Sequence, residues 1–229
     1  MTQKLTSVIN GDALRVISTL KDSVPNPVIV TDPPFNIGKR YASFGDRLKK
    51  DEYFDRLIAV LTALDCPVVV IHYPEALHEL SIRLGRAPER VVSWVYPSNT
   101  RRQHRDIAFY GIKPDFKRVT QPYKNPTDKR VRDRIAKGFG CPSYDWMEVN
   151  QVNNVSREKA AHPCQMPVEV MRRVVGILPP PITVIDPYCG TATTGVACQA
   201  LDVPFIGIEI DPGYCEIAKE RLGLLSNDF

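Results

Sequence analysis

Pro27-Val28-Ile29-Val30-Thr31-Asp32-Pro33-Pro34-Phe35 is an apolar run that stops on an acid, two prolines and an aromatic ring. Residues 27–31 read as a short buried strand. Proline has no N–H for a ladder and fixes its own φ, so the strand must end in a rigid corner. That corner holds a carboxylate, a backbone carbonyl free of internal bonding and an aromatic face close together. Two acceptors and a ring can grip a planar amino-bearing base and make its exocyclic amine nucleophilic. Read alone, the same residues are also a plain tight loop with Asp32 as a local turn acceptor. The rest of the chain has to separate the two readings.

Strand and helix signals alternate on both sides of this corner. Residues 6–10, 66–71, 182–185 and 205–209 read as strands, and 91–96 with 107–111 as two strands that could pair. Residues 13–20, 51–64, 74–84, 167–178, 194–201 and 212–222 read as helices. Pro167 stands at a helix start, where a missing N–H costs least. This alternation predicts an α/β doubly wound sheet. The 229 residues suffice for one domain, 1–229. Residues 113–161 are charged and aperiodic, and read as an insertion within it.

A second strand–loop–helix unit runs Ile182-Thr183-Val184-Ile185-Asp186-Pro187-Tyr188-Cys189-Gly190-Thr191-Ala192-Thr193-Thr194-Gly195. Small residues let the backbone approach a ligand closely. The next strand, Phe205-Ile206-Gly207-Ile208, ends in Glu209, where an acid can accept both hydroxyls of a ribose. The pattern predicts an adenosine-containing cofactor. A nicotinamide dinucleotide competes, but the loop lacks Gly-x-Gly-x-x-Gly and Asp186 would oppose a pyrophosphate. A carboxylate there suits a cation such as the α-ammonium of S-adenosylmethionine.

The net charge of +4 hides an asymmetry. Residues 101–137 carry 12 Lys/Arg against 4 Asp/Glu, a net of +8, and the remainder carries 18 against 22. A basic segment on a mildly acidic body is the pattern of a polyanion-binding patch, and aromatic residues interleave it. The bland alternative is a solvated basic loop. Arg101, Arg102, Arg105, Lys117, Arg118, Lys129 and Arg130 are the candidate nucleic-acid contacts.

Hydrophobic content of 43% and charged content of 24% fit a globular protein. No apolar run reaches membrane-spanning length, and residues 1–5 begin no signal-like core. Cysteines 66, 141, 164, 189, 198 and 215 form no Cys-x-x-Cys pair. They read as reduced, mostly core residues of a cytoplasmic protein, and no metal site is expected. His72 and His78 read as structural, Trp94 and Tyr96 as sheet core, and Trp146 as an anchor closing the insertion.

The whole series of motifs resembles the β-class S-adenosylmethionine-dependent amino-methyltransferases of DNA. In that family a (D/N/S)PP(Y/F/W) motif comes first, then a target-recognition region, an HPxxKP-like segment and a D-P-F-x-G-S-G-T-T-like loop. Here the counterparts are Asp32 to Phe35, the basic insertion, His162-Pro163-Cys164-Gln165-Met166-Pro167, and Asp186 to Thr194. Gly11-Asp12 and the stretch from Ile208 to Tyr214 also look familial. The resemblance implies a Rossmann-like methyltransferase sheet with circularly permuted motif order and residues 113–161 as a short target-recognition insertion. It implies catalytic roles for Asp32, Pro33, Pro34 and Phe35. It implies cofactor contacts from Asp12, His162, Asp186, Tyr188, Gly190, Thr191, Thr193, Thr194 and Glu209. The partner implied is double-stranded DNA, with a homodimer open because the insertion is short.

Three residues depart from the family pattern. Ala192 replaces a loop glycine, which predicts a negative φ there. Met166 replaces a lysine and Cys164 a threonine. Pro163-Cys164-Gln165 also resembles the nucleophile motif of cytosine-C5 methyltransferases, but it precedes the cofactor loop and a helix, so Cys164 reads as a packing residue. The reading reached is transfer of a methyl group to N6 of a flipped adenine. N4 of cytosine is the alternative, followed by an idle nucleic-acid-binding module and an oxidoreductase.

Overall fold

The structure is a computed structural model that describes residues 5–39, 45–152 and 165–225. Its ten strands are β1 Thr6–Asn10, β2 Pro27–Thr31, β3 Val68–His72, β4 Arg90–Val95, β5 His104–Tyr110, β6 Thr120–Gln121, β7 Cys141–Pro142, β8 Trp146–Glu148, β9 Thr183–Asp186 and β10 Phe205–Glu209. Its α-helices are α1 Ala13–Thr19, α2 Lys50–Leu61, α3 Pro74–Leu84, α4 Lys129–Ala136, α5 Val168–Gly176, α6 Thr193–Ala200 and α7 Pro212–Arg221.

Eight strands form one sheet in the order β1-β10-β9-β2-β3-β5-β4-β8. Neighbours from β1 to β3 are parallel, β5 is antiparallel to both β3 and β4, and β8 is parallel to β4. The doubly wound expectation therefore holds, with an antiparallel strand let into one side.

Side chains alternate across each strand, so one run feeds two cores. Val28 and Val30 face α5, α6 and α7, packing with Val170, Val174, Ala197 and Ala218. Ile29 faces the other way, with Ile17, Phe54, Leu57 and Leu80 from α1, α2 and α3. Helices thus cover both faces. This is why the central strands read as continuous apolar runs rather than alternating ones. Ile29 has no exposed surface. Truncating such a residue to alanine costs about 2–5 kcal/mol.

Residues 116–148 hold a 3-10 turn (Phe116–Arg118), the small antiparallel pair β6–β7, the helix α4 and the edge strand β8. The last of these joins the main sheet. Trp94 Nε1 donates to the Val149 carbonyl at 2.7 Å, fixing the chain as it leaves β8. Trp146 lies on that edge strand, 37% exposed and stacked on Tyr144, rather than closing the segment from within.

Cys141, Cys189, Cys198 and Cys215 are free and buried, and Cys66 is half-buried. Among the described residues no helix is long and apolar enough to cross a membrane. His162, Pro163 and Cys164 lie outside the described residues.

Candidate active site

The sheet directions decide where the functional side chains meet. The carboxyl ends of β1, β10, β9, β2 and β3 share one edge because these strands are parallel. Reversal at β5 brings its beginning, His104 and Arg105, to that edge, and reversal at β4 brings Tyr96. The order switches between β9 and β2, which is where doubly wound sheets open a ligand crevice. A cleft of about 1060 Å³ lies there, lined among others by Asp12, Asp32, Tyr96, Arg105, Asp186 and Glu209. That volume is at the upper end for small-molecule sites and has room for two ligands side by side.

Asp32 begins the corner after β2, with 18% of its side chain exposed. Its Oδ2 lies 3.6 Å from Arg105 Nη1, and its Oδ1 has no hydrogen-bond partner among the described residues. Burial pushes its pKa up to about 7, Arg105 opposes that, and Asp186 adds to it. A carboxylate with an open oxygen and a pKa near neutrality can accept an amine N–H and take its proton.

The two prolines divide their carbonyls. Tyr73 N–H donates to His72 Nδ1 at 2.8 Å, so the ring proton sits on Nε2 and points to the Tyr53 hydroxyl, also at 2.8 Å. Tyr53 in turn donates to the Pro34 carbonyl at 2.7 Å. Burial, followed by Arg105 and Arg102, lowers the His72 pKa to about 3, so the ring stays neutral and keeps this tautomer. Among the described residues nothing donates to the Pro33 carbonyl. Of the two acceptors the corner could offer, it is Pro33 that stays open. The loop beyond is pinned by Asp46, whose carboxylate accepts from the backbone of Asn36, Ile37 and Lys39 at 2.7, 3.1 and 2.9 Å.

The Phe35 ring stacks on His72 with centroids 4.3 Å apart. The Arg105 guanidinium lies over the same ring at 4.8 Å, and over Trp94 and Tyr96 at 5.2 and 6.0 Å. Only 14% of the Arg105 side chain is exposed. Arg105, a candidate nucleic-acid contact from sequence, therefore lies inside the cleft rather than on the outer surface. The strand that carries it runs antiparallel and turns it into the cleft.

Across the seam from Asp32, Asp186 ends β9 with both oxygens engaged. Oδ1 accepts from the Thr31 hydroxyl at 2.8 Å and from Tyr188 N–H at 3.2 Å, and Oδ2 from the Thr194 hydroxyl at 2.6 Å. Burial raises its pKa to about 6, against the pull of those bonds. Glu209 accepts from Gly190 N–H at 2.9 Å and from Asp211 N–H at 2.8 Å, tying the loop after β9 to the end of β10. Burial raises its pKa as well. Asp12 caps α1 through Arg15 N–H at 3.0 Å and faces the same cleft, as do Tyr188 and Thr191.

Gly190 has φ of 53°, and Ala192 follows it with φ of 58°. The negative φ expected for Ala192 is therefore wrong. The chain keeps the left-handed turn of a glycine loop and bears the Cβ strain, about 1–2 kcal/mol. The turn is braced by Arg221 of α7, whose Nη1 donates to the Thr191 carbonyl and reaches the hydroxyls of Thr191 and Thr193 at 3.0 and 3.4 Å.

The basic candidates part company. Arg101 and Arg102 are exposed in the β4–β5 loop at the cleft mouth, with Arg102 over the Tyr73 ring and paired to Glu75 at 3.2 Å. Lys117, Arg118, Lys129 and Arg130 do not line the cleft. Arg118 Nε caps the Gly176 carbonyl at 3.2 Å and Arg130 pairs with the α4 N-cap Asp128. No α4 residue is buried, and Arg134 Nε binds the Tyr123 hydroxyl at 2.8 Å.

Tyr53, His72, Asp46, Thr31 and Arg221 were not singled out as site residues from sequence. Their signal was absent, because each acts through a contact between elements distant in the chain.

The chain is similar in sequence and in fold to several DNA methyltransferases. Over 246 residues the chain is 33% identical to the type II methyltransferase M.ScaI of Streptomyces caespitosus, covering 93% of this chain and 80% of that one. It is 24% identical over 255 residues to the DNA adenine methyltransferase YhdJ of Escherichia coli K12, covering 96% and 84%. Among solved structures, the M1.HpyAVI–SAM complex superposes with a TM-score of 0.65 at 20% identity, over 95% of this chain and 99% of that one. The cytosine-N4-specific PvuII DNA methyltransferase gives 0.69 at 17% identity, over 100% and 89%. The sequence model of the N6/N4-type DNA methylases matches residues 72–220, and the chain belongs to that DNA methylase family.

Proposed function

We propose that the protein uses S-adenosylmethionine to methylate N6 of an adenine extruded from double-stranded DNA. The observation that carries this reading is the Asp32 corner. A half-buried carboxylate with a bare oxygen stands beside the open Pro33 carbonyl and the Phe35 ring, in one cleft with a second, acid-lined site.

The residues of that second site fit the cofactor. Asp12, Asp186, Glu209 and Asp211 all line the cleft, a donor set that suits a cation bearing hydroxyls and repels a pyrophosphate. Glu209 would hold the ribose hydroxyls, Asp186 would face the α-ammonium group, and the Gly190–Thr191 backbone would lie against the cofactor. When bound, S-adenosylmethionine supplies a methyl group on a sulfonium centre, ready for direct displacement.

The chain's own work is orientation and proton handling. Asp32 and the Pro33 carbonyl accept the two amine hydrogens and aim the nitrogen lone pair. Phe35 stacks on the base, Pro34 stiffens the corner, and Asp32 takes the proton that the amine sheds. Positioning supplies most of the rate, and no covalent enzyme intermediate is needed. The target base has to leave the duplex stack to reach the corner. An aspartate at position 32 is the feature that favours adenine, and the likeness to YhdJ agrees with it.

The test is transfer of tritiated methyl from S-adenosylmethionine to unmethylated genomic DNA, followed by nucleoside analysis. N6-methyladenine is expected. N4-methylcytosine would move the reading to the other amine of the family, and absence of transfer by protein that binds the cofactor would sink it.

A further inference from the structure

Arg105 stands where the target base has to go. His72 stacks on Phe35 at 4.3 Å and the guanidinium lies over the same ring at 4.8 Å, so a base stacking there has to compete with these neighbours. Trp94 and Tyr96 close the cage around the same guanidinium. Its Nη1 points at Asp32, the residue that the proposed function assigns to the amine. A guanidinium is flat, stacks on aromatic faces and presents N–H donors along one edge. An amino-bearing base does the same three things.

The fit is loose. The separation of 3.6 Å from Asp32 is too long for a hydrogen bond. The other partners of the guanidinium are the Met166 sulfur, a weak acceptor 3.3 Å from Nη1, and the Tyr96 hydroxyl. Among the described residues Arg105 Nε is buried without a partner, and so is Asp32 Oδ1. Buried groups left unpaired in this way are costly, and a better-matched occupant gains by replacing one of them.

We propose that Arg105 is an internal stand-in for the target base. Resting on the reading of Asp32 and Phe35 given above, it keeps the aromatic cage filled and Asp32 countered by a cation until an extruded base displaces it. Binding then carries an internal competition, and the apparent affinity for DNA is lowered by the fraction of molecules with the cage occupied.

The experiment compares steady-state methyl transfer to unmethylated genomic DNA by the wild type, Arg105→Ala and Arg105→Lys. Cofactor binding by calorimetry serves as the check of folding. Alanine removes the competitor, and lysine keeps the charge beside Asp32 without a plane to stack. Both are expected to lower KM for DNA about three- to tenfold, a range set by the strength of a desolvated cation–π contact, while kcat stays above about a tenth of wild type. Added guanidinium chloride at millimolar concentration, with sodium chloride as the ionic-strength control, should raise KM for DNA in the alanine variant and not in the wild type. A raised KM in either variant would show that Arg105 grips DNA, and a collapsed kcat with intact cofactor binding would place it in the chemistry. Either result overturns the proposal, as does an equal guanidinium response in the two proteins. Should the alanine variant fail to bind cofactor, the KM of the lysine variant decides alone. A wild type that transfers no methyl group refutes the proposed function instead, and the two failures are distinguishable.

Discussion

The Thr31 hydroxyl donates to Asp186 Oδ1 at 2.8 Å across the seam between β2 and β9. This bond extends the β2–β9 ladder into the cleft as a side-chain link between its two halves. Thr31 is the last residue before Asp32, and Asp186 is the acid of the second site. The negative charge of Asp186 helps to raise the Asp32 pKa, so the affinity of Asp32 for a proton depends on the state of its neighbour.

Asp32→Asn should abolish methyl transfer and leave S-adenosylmethionine binding largely intact, since a neutral amide is a weaker acceptor. It should also stabilise the empty protein at high pH. The folded pKa of about 7 lies above the ordinary value of 3.8, so the folded state holds this proton more tightly. That contribution is complete below about pH 4 and is lost as pH rises through 7. The variant should therefore melt above the wild type at pH 8.5, by about 2–4 °C for each kcal/mol recovered, with the gap shrinking toward pH 5. A gap that grows on acidification would contradict the assignment. Wild-type activity should fall below about pH 7 as Asp32 takes up its proton.

Tyr53→Phe removes the donor to the Pro34 carbonyl and the acceptor for His72 Nε2–H together. Two buried groups lose partners, a cost of about 1–3 kcal/mol. Denaturant melts should show that loss. The corner loosens while the cofactor side is untouched, so kcat should drop and KM for S-adenosylmethionine should hold. Equal damage to both constants would mean that the relay supports the whole cleft.

Glu209→Ala should weaken S-adenosylmethionine binding by about 1–3 kcal/mol. The carboxylate also anchors Gly190 N–H and Asp211 N–H, so part of the loss comes from the loop it holds. Calorimetry measures it, and an unchanged dissociation constant removes Glu209 from the ribose.

Ala192→Gly relieves a left-handed alanine at the expense of one buried methyl group. The two effects are each about 1 kcal/mol, so stability should change by less than about 1 kcal/mol. Ala192→Val adds a branched side chain at the same positive φ, with no exposed surface to expand into. It should destabilise by more than about 2 kcal/mol. Comparable melting of the two variants would argue against φ of 58°.

DNA affinity should fall steeply with salt, by about 0.9 in log K per neutralised phosphate. Arg101→Ala with Arg102→Ala should make that slope shallower by about one to two contacts, weakening all sequences alike. Further loss of Arg132 and Arg134 on the exposed helix α4 tests whether that helix reaches the duplex. Arg105→Ala should leave the slope alone, because the side chain is inside the cleft. Retention of the full slope by the quadruple variant would make the basic segment a solvated surface.

What the sequence disclosed was whatever local patterning encodes. Val28 to Val30 and Val68 to Ile71 are buried on both faces, so their apolar runs stood out and their polar ends marked the cleft. Glu209 and Asp186 were legible for the same reason, as acids that close apolar strands. The position of Arg105 inside the cleft was not legible, because a basic stretch read linearly looks like surface. Pairing of residues 91–96 with 107–111 as a hairpin next to parallel strands was the available signal, since it sets the start of β5 beside the end of β3, one strand from the corner after β2. Tyr53 sits in an ordinary helical pattern, and only its contact with His72 gives it a role. Ala192 was misjudged because a steric rule was applied without the bracing by Arg221.

The attachment of β8 sets a rule for building hybrids. The segment from Ile112 to Val149 leaves the sheet after β5 and returns through a strand that, among the described residues, pairs with β4 alone, sealed by the Trp94 bond to Val149. A transplanted recognition segment would need to bring a short edge strand of matching register. It would also need a carbonyl for that indole, while the Asp32 corner, four strands inward from β8, could stay as it is.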